Sequence, residues 1–131
     1  MPDNDVFEFQ DSEVSSAELQ DQKFVVRFSA AHVRRSINQD GNDVDGFLQA
    51  LELTIHQPSI IKTESGCIGR ISHGVLRVAG TIFRLVSIPY EAEANVELEL
   101  MFSNGSMCKV SGMGVTLNAI GEVKFVEWLK C

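Results

Sequence analysis

The sequence predicts a mainly β protein, a single-domain antiparallel β-sandwich or barrel with at most one or two short helices, over residues 1–131. Three observations carry that expectation. Apolar and polar residues alternate in several short runs, as they do when a strand buries one face. An Asn-Gly pair joins the two clearest runs. Gly, Pro and polar residues punctuate the remainder, giving roughly eight to ten short strands.

The clearest run is Val96, Leu98, Leu100 and Phe102, alternating with Glu97, Glu99 and Met101. Asn104-Gly105 then reads as a two-residue hairpin turn, since both central positions need positive φ. The return strand covers 106–111, with Cys108 and Val110 on one face and Met107, Lys109 and Ser111 on the other. Upstream, Phe24, Val26 and Phe28 share a face, and Leu51, Leu53 and Ile55 alternate with Glu52, Thr54 and His56 before Pro58. Residues 74–79 form a further run, and Gly80-Thr81 is a tight turn or bulge before the run 82–88. Residues 6–9, read as an edge, and 14–19 are weaker strands, and 115–117 and 123–128 complete the set. Two segments admit a helix: Ser29 to Arg35, with Ser29 as its N-cap, and 119–130, where the β-branched and aromatic content of 123–128 favours a strand.

The charge is located. Residues 1–22 hold seven acids and no base, so residues 23–131 have eleven of each and are formally neutral. The apolar positions Val6, Phe7, Phe9, Val14 and Leu19 fold that acidic segment into the body. Only Arg34-Arg35 are adjacent cations, which argues against nucleic acid as a partner, because phosphate affinity needs clustered Lys and Arg. An acidic surface suits a basic protein, or simply keeps the chain soluble. No apolar run approaches the roughly 20 residues of a membrane span. The start lacks a secretory signal, and three widely spaced cysteines imply no disulfide framework. A soluble, cytoplasmic protein is expected.

Candidate chemistry is sparse. The polar loop 36–46 holds Asp40, Asp43 and Asp45, but their spacing misses a calcium loop, whose twelfth position would be Leu51. Cys67 and His73 could pair as nucleophile and base, yet nothing supplies the group that orients the base. His32 and His56 have no partner at metal spacing, so no metal or other cofactor is expected. Gly112-Met113-Gly114 lacks the rest of a phosphate loop and reads as a turn or bulge. Glu97 and Glu99 share a strand face with Cβ atoms about 7 Å apart, either as a solvated face or as a negative patch that meets a basic partner. Trp128, in the apolar run 123–129, is expected to dock the C-terminus onto the body, with an interface anchor as the alternative.

Size, the acidic start from Asp3 to Asp21, the strands 24–28 and 96–102, and the lack of catalytic groups together resemble the small acidic bacterial immunity proteins of contact-dependent growth-inhibition systems. That resemblance implies a non-catalytic inhibitor that binds a cognate toxin domain, often a basic nuclease. Its contact candidates are Asp11, Glu13, Glu18 and Asp21, with Glu97 and Glu99. Two other functions fit the residues. A sheet lined by Phe24, Phe28, Phe47, Phe83 and Phe102 could hold a small apolar ligand, and Cys67 with His73 could serve an enzyme. An edge strand such as 23–28 or 94–102 could also form a homodimer.

Overall fold

A computed structural model describes residues 5–36, 44–64, 67–120 and 124–125. They form twelve strands: β1 (Asp5–Gln20), β2 (Lys23–Ser36), β3 (Val44–His56), β4 (Ile60–Thr63), β5 (Gly69–Val78), β6 (Thr81–Phe83), β7 (Leu85–Ile88), β8 (Tyr90–Ala92), β9 (Val96–Phe102), β10 (Met107–Gly112), β11 (Gly114–Ala119) and β12 (Lys124–Phe125). Hydrogen bonding orders them β4-β10-β9-β5-β1-β2-β3-β11-β8, with β6 on β5, β7 on β1 and β12 on β3. The pairings are antiparallel, as alternating half-buried strands joined by short turns require. The ends of this path, β4 and β8, do not pair with each other. The closed-barrel alternative therefore fails.

The sheet instead folds over on itself. A short ladder at Glu13–Arg70 and Val14–Gly69 joins β1 to β5. The halves on either side of it then bury one core. Phe7, Phe9, Phe24, Phe28, Leu51, Leu53 and Ile55 come from one half, and Ile71, Leu76, Leu98, Leu100, Phe102, Cys108 and Val110 from the other. Phe7 packs on Phe9 and Phe28 at ring separations of 4.7 and 4.8 Å, close enough for tilted aromatic contacts to add to simple burial. At the opposite margin, Gly112 and Gly114 carry the chain between halves. There the Met113 N–H donates to the His56 carbonyl at 2.9 Å, so these glycines make a bend, as the sequence suggested.

The helix expected at Ser29–Arg35 is the second part of β2, and the described residues contain no helix. The reason lies in face parity. Phe28 and Ala31 are both buried but three residues apart, which plain alternation forbids. A register shift between them in the β2–β3 ladder restores the apolar face. The same occurs in β1, where Phe9 and Ser12 are both buried and the β1–β2 register shifts between Glu8 and Glu13. Asp11, with φ of 68°, absorbs that irregularity. What the sequence shows as two weak strands is thus one bulged strand, and its residues 6–9, paired with both β2 and β7, are not an edge.

The hairpin at Asn104-Gly105 exists, but its turn has three residues. Only Gly105 has positive φ, and the Phe102 and Ser106 backbones pair across it, the geometry of a type I turn closed by a left-handed residue. Two-residue turns with both φ positive occur at Asp21-Gln22 and Ala79-Gly80. Segments 23–28 and 94–102 are not edges: β2 lies between β1 and β3, and β9 between β5 and β10. An exposed edge belongs to β4, where all four residues are exposed. Residues 37–43 of the polar loop, and Trp128 and Cys131, lie outside the described residues. Within 119–130, Lys124–Phe125 is strand. No described helix is long and apolar enough to cross a membrane.

Candidate binding face

The carboxylates proposed from sequence fall into three places. Asp11 and Glu13 sit at the β1 bulge beside Arg70. There Asp11 approaches the guanidinium at 3.7 Å and Glu13 lies opposite Arg70 in the ladder. Glu97 and Glu99 are half-buried in the other half of the sheet. Arg77 lies 2.5 Å from Glu97 and 3.9 Å from Glu99, and Lys109 is 3.9 Å from Glu97. That face is therefore a mixed-charge cluster, and two cations offset its two carboxylates. Glu18 and Asp21 stand at the end of β1 and in the turn that follows.

Register places these last two in a larger arrangement. Residues opposite each other in adjacent antiparallel strands share a face. Glu18, Val25, Thr54, Thr116 and Glu91 thus form one row across the outer surface of β1, β2, β3, β11 and β8. The next row holds Gln20, Lys23 and His56. Together they border an open cleft of about 580 Å³ whose lining includes Asp21, Lys23, His56, Glu91, Glu93 and Thr116. The His56 ring Nε2 and the Thr116 hydroxyl share a hydrogen bond of 2.7 Å on its floor. Asp21, Gln22 and Gln57, all with positive φ, form its rim.

The charge contrast is local. Glu8, Glu52, Asp11, Glu97 and Glu99 each lie within ion-pair distance of an arginine. Among the described residues, Glu13, Glu18, Asp21, Glu64, Glu91 and Glu93 have no such partner, and all are exposed. Three of these six line the cleft, facing Lys23 and His56. Glu18 stands in the same row as Glu91, so four of the six share the outer face of one half-sheet. Glu91 and Glu93 are not among the contact candidates drawn from the sequence. Their place across the cleft from Asp21 depends on β8 pairing with β11 rather than with β9, a long-range choice that no local pattern encodes.

The thiol candidates are arranged differently from a nucleophile and base. The Cys67 thiol donates to the Met107 carbonyl at 3.3 Å and meets the thiol of Cys108. His73 is exposed on β5, opposite Met101. Burial, and secondarily the adjacent Cys67, push the Cys108 thiol up to about 12, which suppresses its nucleophilic thiolate form. Among the described residues, no group of three or more His, Cys, Asp or Glu side chains is placed to hold a metal. Phe24, Phe28, Phe47 and Phe102 are packed into the core, and Phe83 lies against it and Tyr90. Compared with family models, curated proteins and solved structures, the chain matches none.

Proposed function

We propose that this chain is a non-catalytic protein-binding module, an immunity or inhibitor protein that neutralises a cognate basic bacterial toxin domain, of nuclease type, in the cytoplasm. One observation supports the reading above the others. Glu18, Asp21, Glu91 and Glu93 stand on one outer face without a described ion-pair partner, whereas the acids elsewhere on the sheet are mostly matched by arginines. Uncompensated charge on one face steers an oppositely charged partner and raises its association rate. The acids first singled out thus divide: Glu18 and Asp21 belong to the contact face, while Asp11, Glu97 and Glu99 are held by arginines and Glu13 lies beside one.

The test is co-expression with the product of the neighbouring reading frame, which is expected to be a toxin. Growth is expected to be restored by the unsubstituted chain. The combined Glu18→Lys, Asp21→Lys, Glu91→Lys and Glu93→Lys variant should fail to restore it while remaining folded. If no neighbouring product is toxic, or if the charge-reversed chain protects equally well, the reading is wrong.

A further inference from the structure

Glu64 and Cys67, which lie between β4 and β5, both bond to Met107 of β10, and a buried thiol stands on each side of that contact. Cys108 lies on the inward face of β10 and is fully buried; Cys67, on the connection, is 7% exposed. The two are 41 positions apart in the chain, yet both belong to one hydrophobic cluster and their side chains are hydrogen-bonded to each other. Their approach is held by two hydrogen bonds between Glu64 and Met107. The Glu64 N–H donates to the Met107 carbonyl at 3.2 Å, and the Met107 N–H donates to the Glu64 carboxylate at 2.6 Å. The Cys67 thiol donates to the same Met107 carbonyl, which places its sulfur beside the residue that precedes Cys108. Thr63, just before the connection, is the ladder partner of Cys108.

We infer that Cys67 and Cys108 are a redox pair that a low-molecular-weight disulfide oxidises to an intramolecular disulfide, clamping the β4–β5 connection onto β10. The exchange balances without any further reagent. The Cys67 thiolate attacks one sulfur of R–S–S–R and displaces R–S⁻. The Cys108 thiolate then attacks the Cys67 sulfur of the mixed disulfide and expels the second R–S⁻. The protein loses two protons and two electrons, and the oxidant leaves as two R–SH. Cys67 is the entry point because it is the more accessible thiol and does not lie within a ladder. Cys108 is the resolving thiol, already seated against it. Because burial holds Cys108 protonated, the second step accelerates as pH rises. The bond would tether β4, an exposed sheet edge, through the strand it pairs with.

The test treats the folded full-length chain carrying Cys131→Ser with oxidised glutathione at mildly alkaline pH. Intact mass, thiol alkylation after denaturation and peptide mapping give the readout. The expected product has lost the mass of two hydrogens, has no alkylatable thiol and yields a Cys67–Cys108 linked peptide. Its Tm should rise on the order of 10 °C, because the bond closes a long loop in the unfolded chain, and dithiothreitol should reverse the change. The same link is expected in the chain that retains Cys131. Two thiols that remain free, a reaction that stops at a glutathione adduct on Cys67, or a link made to Cys131 would overturn the inference.

Discussion

The hydroxyl of Ser12 accepts the His32 N–H at 2.8 Å and donates to the Glu8 carbonyl at 2.7 Å, and so splices the β1–β2 ladder where both strands bulge. Ser12 is fully buried. Without its hydroxyl, two backbone groups in the core margin would lose their partner, and an unsatisfied buried group costs about 1–3 kcal/mol. Ser12→Ala is therefore expected to lower unfolding free energy by about 2 kcal/mol in urea titration. A loss within error of zero would mean that the bulge is held by something other than this side chain.

Gly112 permits the bend that carries the chain from one half of the sheet to the other. A Cβ there would lie 2.5 Å from Ile55 Cγ2 and 2.6 Å from the His56 carbonyl oxygen. The carbonyl belongs to a strand and cannot rotate away. At Gly74 the obstruction is the Phe9 side chain, at 2.8 Å and 2.9 Å, with Leu100 at 3.1 Å. Both Gly112→Ala and Gly74→Ala are expected to destabilise, by about 3 and 2 kcal/mol respectively. The order is the sharper expectation and is read from paired denaturation curves; an equal or reversed ranking would contradict it.

The turn Ala79-Gly80 offers a change in the other direction. Ala79 has φ of 49°, a left-handed conformation that alanine adopts at a cost and asparagine tolerates. Ala79→Asn creates the Asn-Gly pair that two-residue turns favour. It is expected to stabilise the fold by about 0.5–1 kcal/mol, seen as a higher Tm. A lower Tm would indicate a different turn.

Cys108 supplies the pH dependence. Its thiol is pushed from 9.0 up to about 12, first by burial and then by neighbouring Cys67. Between those values the unfolded chain ionises this thiol while the folded chain keeps it protonated, so the unfolded state binds fewer protons and stability falls as pH rises. Below pH 9 the group contributes no slope. Within the window it adds about 1.4 kcal/mol of loss per pH unit. Cys108→Ala removes that contribution, so its decline above pH 9 should be shallower although its stability at neutral pH is lower. Parallel declines in the two proteins would refute the assignment.

Much of the core was legible because burial follows a period of two. Phe24, Val26 and Phe28, Leu51, Leu53 and Ile55, and Val96 to Phe102 face inward as alternation requires. The hydroxyl at Ser12 and the strand at Ser29–Arg35 were not legible, because a bulge breaks the period and leaves short fragments that imitate a weak strand or a helical turn. Turn chemistry misled for a related reason. Asn104-Gly105 carries the strongest local signal for a two-residue turn, but the pairing of Phe102 with Ser106 demands three residues there. The candidate face was legible only in part. Glu18 and Asp21 belong to a visibly acidic segment, whereas their association with His56, Glu91 and Glu93 arises from strand order. Equally, the alternation of Glu97 and Glu99 revealed an outer face but not that Arg77, twenty residues earlier, stands beside it.

The uncompensated carboxylates of one outer face are proposed to capture a basic protein partner. Stopped-flow association with the proposed basic toxin domain, measured from low to physiological salt, is the decisive measurement. The unsubstituted chain is expected to associate fast, slowing steeply with salt. The Glu18→Lys, Asp21→Lys, Glu91→Lys and Glu93→Lys chain should be slower by at least about tenfold at low salt and nearly insensitive to salt. Glu97→Lys, at the arginine-matched cluster, should leave the rate close to that of the unsubstituted chain. Equal rates and equal salt slopes for the unsubstituted and fourfold-substituted chains would contradict the account.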